Sequence, residues 1–495
     1  MKVCNTSVVT AIGTRVTGFF LPSRMVKEEN KVGEFPGFRE AYGELIKIAA
    51  PSVAEMVLMS LIGWADSIMV GRLGTAPFAA VGLTDQPRMI LMSIFFALNV
   101  GVTAIVARRK GQNDRKSANL ALRNALVVLS LLSVTMAIVG TFVNRPLLRL
   151  AGANEDTLDL AAGYFRILIM ALPINALTMA ICAAQRGVGN TRITFIVNLT
   201  ANLVNVFFNY CLIFGRLGFP ALGVQGAALA TVIGFVIGLV LAIYSVSHSK
   251  KHDSFLEVHL RDNWKLNRDT LNSLFKIGGS AMLEQVAARI GFFAYAAIVA
   301  SLGTVAFAAH QVCMKFLNIT FTIGDGLGIA GTSLVGQMLG KGRHDLAQMY
   351  GLISQRFAMI ISLTLLGFLI GFRHTLVGFF GADVASLKTA LEVLENKEML
   401  RIAADVMIVV ALIQPFQTTS VVISGCLRGA GDTTYVAMIM FICVVGIRPL
   451  LSLTATHVFH LGLVFVWLST LIDMMIRVSL MLRRFYQGKW FGIKV

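Results

Sequence analysis

A chain of 495 residues that is 56% hydrophobic and only 14% charged carries more apolar surface than a soluble core uses, since soluble domains hold roughly a quarter charged residues. The formal net charge of +17 invites a nucleic-acid reading. The basic residues, however, sit in short breaks between apolar runs and not on one face or in one tail, which excludes it. Those runs approach the roughly 20 residues that cross about 30 Å of hydrocarbon, so an all-α integral membrane protein in a lipid bilayer is expected.

Residues 1–43 are polar, Gly-containing and basic. The apolar stretch from Ser7 to Leu21 is interrupted by Arg15 and lacks a small-residue cleavage site, so a cytoplasmic extension is expected, starting at Met1 or Met25. Twelve spans follow, near 44–71, 78–107, 118–142, 158–184, 192–214, 222–247, 271–301, 306–338, 348–372, 399–426, 434–456 and 461–483. They group into an N-terminal six-helix lobe (44–247), a polar cytoplasmic linker (248–270), a C-terminal six-helix lobe (271–483) and a tail (484–495). Most Lys and Arg fall on one side, including Arg108-Arg109-Lys110, Lys250-Lys251, Lys341 and Arg483-Arg484. The opposite side has only Arg72, Arg145, Arg149, Arg216, Arg373, Lys388 and Lys397, so both termini are expected in the cytoplasm of a multi-pass inner-membrane protein. Cys4, Cys182, Cys211, Cys313, Cys426 and Cys443 are widely spaced and form no CxxC pair, and they read as small buried hydrophobes.

The chain repeats itself. Leu73-Gly-Thr-Ala-Pro-Phe-Ala-Ala80 recurs 229 residues on as Leu302-Gly-Thr-Val-Ala-Phe-Ala-Ala309, and Arg186-Gly-Val-Gly-Asn-Thr191 recurs 242 residues on as Arg428-Gly-Ala-Gly-Asp-Thr433. Six spans separate the copies, an even number, so the two repeats share one orientation. A pseudo-two-fold along the membrane normal and a substrate site between the halves are expected.

Ionisable groups inside spans need partners or a task, because each costs roughly 2.5–3.5 kcal/mol at a helix centre. Asp66 lies about 7 Å below the external end of span one, and Asn209 lies at a similar depth in span five. Asn198, Asn202, Asn205 and Asn209 share one face of span five, and Thr231 of span six is close to the level of Asn205. Asp66, Asn205, Asn209 and Thr231 therefore form a candidate site for Na⁺ or H⁺, the alternative being a seam of interhelical hydrogen bonds. Glu55 and Glu284 are repeat mates that could flank a cavity and attract cations, or could be paired, Glu284 with Lys315 or Arg289. Asp66 has Tyr295 as its mate, so the second half lacks that carboxylate; the spacing does not single out Asp325 or Asp405. The RGxG(N/D)T segments lack the Gly-Lys-Ser/Thr ending of a P-loop and read as tight cytoplasmic turns, and no motif of an enzyme is present.

Pro51, Asp66-Ser-Ile-Met-Val-Gly-Arg-Leu-Gly74, Ala-Ala-His-Gln311, Leu334-Val-Gly-Gln337 and Arg428-Gly-Ala-Gly-Asp-Thr433 resemble the multidrug and toxic compound extrusion family, over about residues 44–485 and closer to its bacterial branches. The resemblance implies a V-shaped pair of six-helix lobes exchanging organic cations for Na⁺ or H⁺ by alternating access. It also implies that the N-lobe cation residues fall on Asp66, Asn205, Asn209 and Thr231, with Asp66, Asn205 and Asn209 as metal ligands if the ion is Na⁺. A C-lobe glutamate of one branch falls on Glu284, and that branch's span-ten Asp falls on Gln417. Glu55, Glu284, Tyr295 and Gln417 are the substrate-cavity candidates. The expected function is a monomeric antiporter exporting small, largely cationic compounds or drugs, with no cofactor beyond the coupling ion. The alternative is a flippase of lipid-linked sugar or peptidoglycan precursor, for which Arg289, Lys315 and Arg448 are few basic residues.

Overall fold

The computed structural model describes residues 21–247, 255–259, 261–380 and 390–493. Residues 1–20 of the expected extension with Cys4, the Lys250-Lys251 pair and the external Lys388 lie outside the described residues. Among those described, long apolar helices succeed one another: α1 Phe38–Gly71, α2 Thr75–Gly111, α3 Arg115–Leu150, α4 Glu155–Met170, α5 Leu172–Gly187, α6 Thr191–Phe214 and α7 Gly223–Ser247. Then come α8 Arg268–Ala300, α9 Thr304–Gly340, α10 His344–Gly378, α11 Ala390–Ala430, α12 Thr433–Val458 and α13 Leu463–Tyr486. Eleven are long and apolar enough to span a membrane, and α4 with α5 makes a twelfth across a 48° bend. Pro173, at the second position of α5, explains the bend, because proline cannot continue the hydrogen-bond ladder of the preceding turn. Its mate Pro415 is absorbed inside the unbroken α11.

The repeat is physical. α2 and α9 are both 37 residues long and start and stop 229 residues apart, each preceded by a glycine at positive φ, Gly74 and Gly303. The two RGxG(N/D)T turns also match, with Gly189 and Gly431 both at φ 87°. Their first glycines mark helix crossings. A Cβ on Gly187 would lie 2.8 Å from the Thr103 carbonyl oxygen, and one on Gly429 would lie 2.2 Å from that of Thr332. The hydroxyls of Thr103 and Thr332, themselves repeat mates, donate to Ala183 O at 3.0 Å and Gly425 O at 2.7 Å.

Two compact units result, one of Ile48–Met282 and one joining residues up to Lys47 with those from Leu283 onward. The division falls inside α1 and α8, not at the expected linker. In the first unit, Phe95, Val102, Leu122, Leu129 and Ile181 form the main core, joined by Leu274 and Ile277 of α8. The linker is seated there too: Leu256 is fully buried, and Arg115 and Arg123 pair with Glu257 and Asp262 at 3.0 and 2.9 Å. The second unit is centred on Tyr295, Cys313, Val410, Val466 and Trp467. Residues preceding α1 dock on its α10 end, where Val32 N–H donates to Asp345 at 3.1 Å and Arg343 donates to Glu34 O at 3.0 Å. The five described cysteines are all buried and free. The outer faces are apolar, as lipid contact demands; on α3 Leu131, Val134, Ile138 and Phe142 are all exposed, Phe142 to 82%.

Candidate ion site

Helices α1 and α6 run side by side in one register. The Thr191 hydroxyl donates to Ile48 O, Asn198 Nδ2 to Glu55 Oε1 and Asn209 Nδ2 to Asp66 Oδ1, at 2.8, 2.8 and 2.7 Å, all across the same separation of 143 residues. The asparagines, repeating every three or four residues, form the seam, and its end toward Gly71 holds the half-buried Asp66 carboxylate. Helix α7 comes close enough to contribute because its contact positions lack side chains: a Cβ on Gly226 would lie 2.4 Å from Leu212 O, and one on Gly234 would lie 2.7 Å from Ala201 O. That approach brings Thr231 to Asn205.

The Asn205 amide lies between the carboxylate and the Thr231 hydroxyl. With its nitrogen toward Asp66 it donates to Oδ1 at 3.1 Å and Oδ2 at 3.2 Å, while its oxygen accepts from Thr231 Oγ1 at 3.1 Å. Asn209 Oδ1, buried and without a hydrogen-bond partner, is a further free acceptor at the same place. One carboxylate among neutral oxygens suits a singly charged, oxygen-seeking ion. No group of three or more His, Cys, Asp or Glu side chains that could hold a metal occurs among the described residues.

The cavity candidates lie elsewhere. Glu55 is 2% exposed; it accepts from Thr194 and Asn198 and has Arg186 3.5 Å away. Glu284 is paired with Arg428, its bonds coming from Nε at 3.3 Å and from the second guanidinium nitrogen. Arg428, and not Lys315 or Arg289, is therefore the partner of Glu284. Each repeat thus clamps its glutamate with the arginine of its own RGxG turn, since Glu55 with Arg186 and Glu284 with Arg428 are matching pairs. Tyr295 is 3% exposed, in the core beside His310 and Trp467, and its hydroxyl donates to Val466 O at 3.3 Å. Gln417 is 2% exposed on α11 with an unpartnered oxygen.

A further group escaped the reading of the sequence. The mate of Thr231, 242 residues on, is Asp473, which accepts from Arg448 Nε at 2.9 Å and from Arg477 at 2.7 Å, all three being buried. The counterpart of the cation site in the second repeat is therefore Tyr295 with an aspartate already neutralised by guanidinium. A π-helical stretch, Phe441–Ile447, directly precedes Arg448. The repeat offset was the signal that could have found Asp473.

A family model described as MatE matches residues 51–211 and 281–454. A probable multidrug resistance protein NorM of Thermotoga maritima is 26% identical over 92% of this chain and 94% of its own length. An uncharacterized transporter YisQ of Bacillus subtilis is 25% identical over 90% and 94%. Among solved structures, a MOP superfamily transporter from Pyrococcus furiosus superposes with a TM-score of 0.82 at 21% identity, covering 91% of this chain and 96% of that one. An outward-facing multidrug resistance MATE family transporter gives 0.80 at 21%, covering 90% and 96%. These likenesses bear out the fold expected from the sequence.

Proposed function

The chain belongs to the MatE family of membrane transporters, and on that premise we propose that it exports small organic compounds in exchange for Na⁺ or H⁺ taken up at Asp66. The observation carrying this reading is the Asp66–Asn209–Asn205–Thr231 cluster, where a carboxylate within a span meets amide and hydroxyl groups with an oxygen to spare. An unpaired carboxylate at that depth is costly, so taking up a cation removes a penalty of a few kcal/mol. The Asn205 amide nitrogen satisfies the ionised carboxylate, and the unpartnered Asn209 oxygen is left for the ion. Coupling requires that ion and substrate favour different packings of the helices, because a ligand with equal affinity for both shifts nothing. The protein would work in a cytoplasmic membrane with both termini inside, as the distribution of Lys and Arg implies.

The test is Asp66→Asn in proteoliposomes loaded with ethidium under separately imposed Na⁺ and pH gradients. The variant keeps the shape of the site and loses its charge. It should elute like the wild type and retain dye binding, while gradient-driven efflux falls by at least about tenfold, the equivalent of ~1.4 kcal/mol. Wild-type efflux with unchanged ion dependence would end the reading.

A further inference from the structure

Helix α9 exposes one continuous stripe, Thr304, Ala308, Gln311, Lys315 and Asn318, continued by the half-buried Thr322. The spacing of three and four makes this a single face. It differs in kind from the exposed face of α3, which carries Leu131, Val134, Ile138, Val139 and Phe142 with only Thr135 among them. Lys315 stands eleven residues inside α9, about 16 Å below its external end. Arg289 stands eleven residues before the external end of α8, at the same depth, and is exposed beside Ile290 (50%) and Phe293 (79%). Each charge facing hydrocarbon would cost roughly 2.5–3.5 kcal/mol, so the stripe faces water.

Neither cation is neutralised. Among the described residues Lys315 and Arg289 make no ion pair and no hydrogen bond, whereas Arg428, Arg448 and Arg477 of the same unit are all paired with carboxylates. Glu284 is held by Arg428, and the exposed Asp405 on α11 interacts with Arg401. Two positive charges with no ion pair among the described residues stand at one depth on consecutive helices, Lys315 in a stripe that offers amides and Arg289 among exposed aromatic and aliphatic side chains, and they call for a ligand of opposite sign.

We propose that the Lys315 face of α9, with Arg289 level with it on α8, binds the anionic group of a transported amphipathic compound, a carboxylate or phosphate carried on an apolar body. This rests on the reading of the chain as an exporter of small organic compounds, and it extends the expected cationic substrates to acidic and zwitterionic ones. The ligand's charge meets the ammonium and guanidinium, and its apolar body lies against Phe293 and Ile290.

Binding to the purified full chain, without any gradient, tests this separately from coupling. The probes are carboxyfluorescein for a soluble carboxylate, a short-chain phosphatidylglycerol for a lipid phosphate, and ethidium as the cationic control. Lys315→Gln and Arg289→Ser install the residues found at their repeat mates, Gln86 and Ser60, so the fold should tolerate both. Each should weaken an anionic probe about tenfold, and the pair more, with ethidium unchanged or tighter and salt dependence reduced. Whichever anionic probe responds identifies the source, soluble compound or lipid headgroup. Because binding is read at equilibrium without a gradient, loss of coupling at Asp66 does not enter the measurement, which keeps failure of this proposal distinct from failure of the ion site. Anion affinity unchanged in the double variant, or equal losses for ethidium and the anions, overturns it.

Discussion

At the residue scale, glutamates and aspartates within spans divide by what neutralises them. Glu55, Glu284 and Asp473 form ion pairs with arginines, whereas Asp66 is hydrogen-bonded by amides and has Arg88 acting on it from beyond ion-pair distance. Removing one member of a buried pair leaves the other uncompensated, at a cost of roughly 3–5 kcal/mol. Glu284→Gln should therefore lower the yield of folded protein and its melting temperature in detergent, and adding Arg428→Gln should recover much of the loss. Wild-type melting for Glu284→Gln together with a selective loss of ethidium binding would instead make it a cavity residue. At the ion site, Asn205→Ala and Asn209→Ala each remove one oxygen and keep the charge. Each should weaken the apparent ion affinity about threefold to tenfold, a smaller defect than that of Asp66→Asn, measured as the ion dependence of efflux.

At the element scale, glycines set how closely helices approach, and thereby where polar groups meet. A Cβ on Gly234 would collide with Ala201 O at 2.7 Å and crowd Asn205 Cβ at 3.2 Å. Gly234→Ala should push α7 away from α6 and separate Thr231 from Asn205. Ion affinity should then fall while no charge is altered, and a titration matching wild type would show that Thr231 is dispensable. The RGxG turns give a graded case. Gly429→Ala, with its Cβ 2.2 Å from Thr332 O, should reduce folded yield more than Gly187→Ala, with 2.8 Å to Thr103 O, as read from the monodisperse fraction after purification.

For the whole molecule, lipid imposes continuous helices and basic residues set their direction. In a background with the buried cysteines replaced, Lys341→Cys should react with an impermeant thiol reagent only after cells are opened. Ala153→Cys, in the turn between α3 and α4, should react in intact cells. Labelling of position 341 from outside would invert the topology. The compact units cut across the expected lobes because the linker and the first turns of α8 pack with α2 and α3, while residues before Ile48 pack with α10. Sequence order divides the chain at its polar stretch; packing divides it where apolar faces find partners.

The sequence by itself determined the spans, the repeat and the convergence of Asp66 with Asn209. A membrane core admits only long apolar helices, and the fixed rise per residue turns spacing into depth. It also marked the RGxG turns, because a positive φ and a close crossing both require glycine. The tertiary structure alone decided the partners. Arg186 and Arg428 read as cytoplasmic turn residues, yet their long side chains reach back to glutamates on α1 and α8. Asp473 reads as one carboxylate in an apolar run until α12 brings Arg448 beside it. Glu284 reads equally as a cavity carboxylate or as the partner of Lys315 or Arg289 until it proves to be held by Arg428. Which charges neutralise each other depends on which helices become neighbours and how far each side chain extends, and neither is written in the local order of residues.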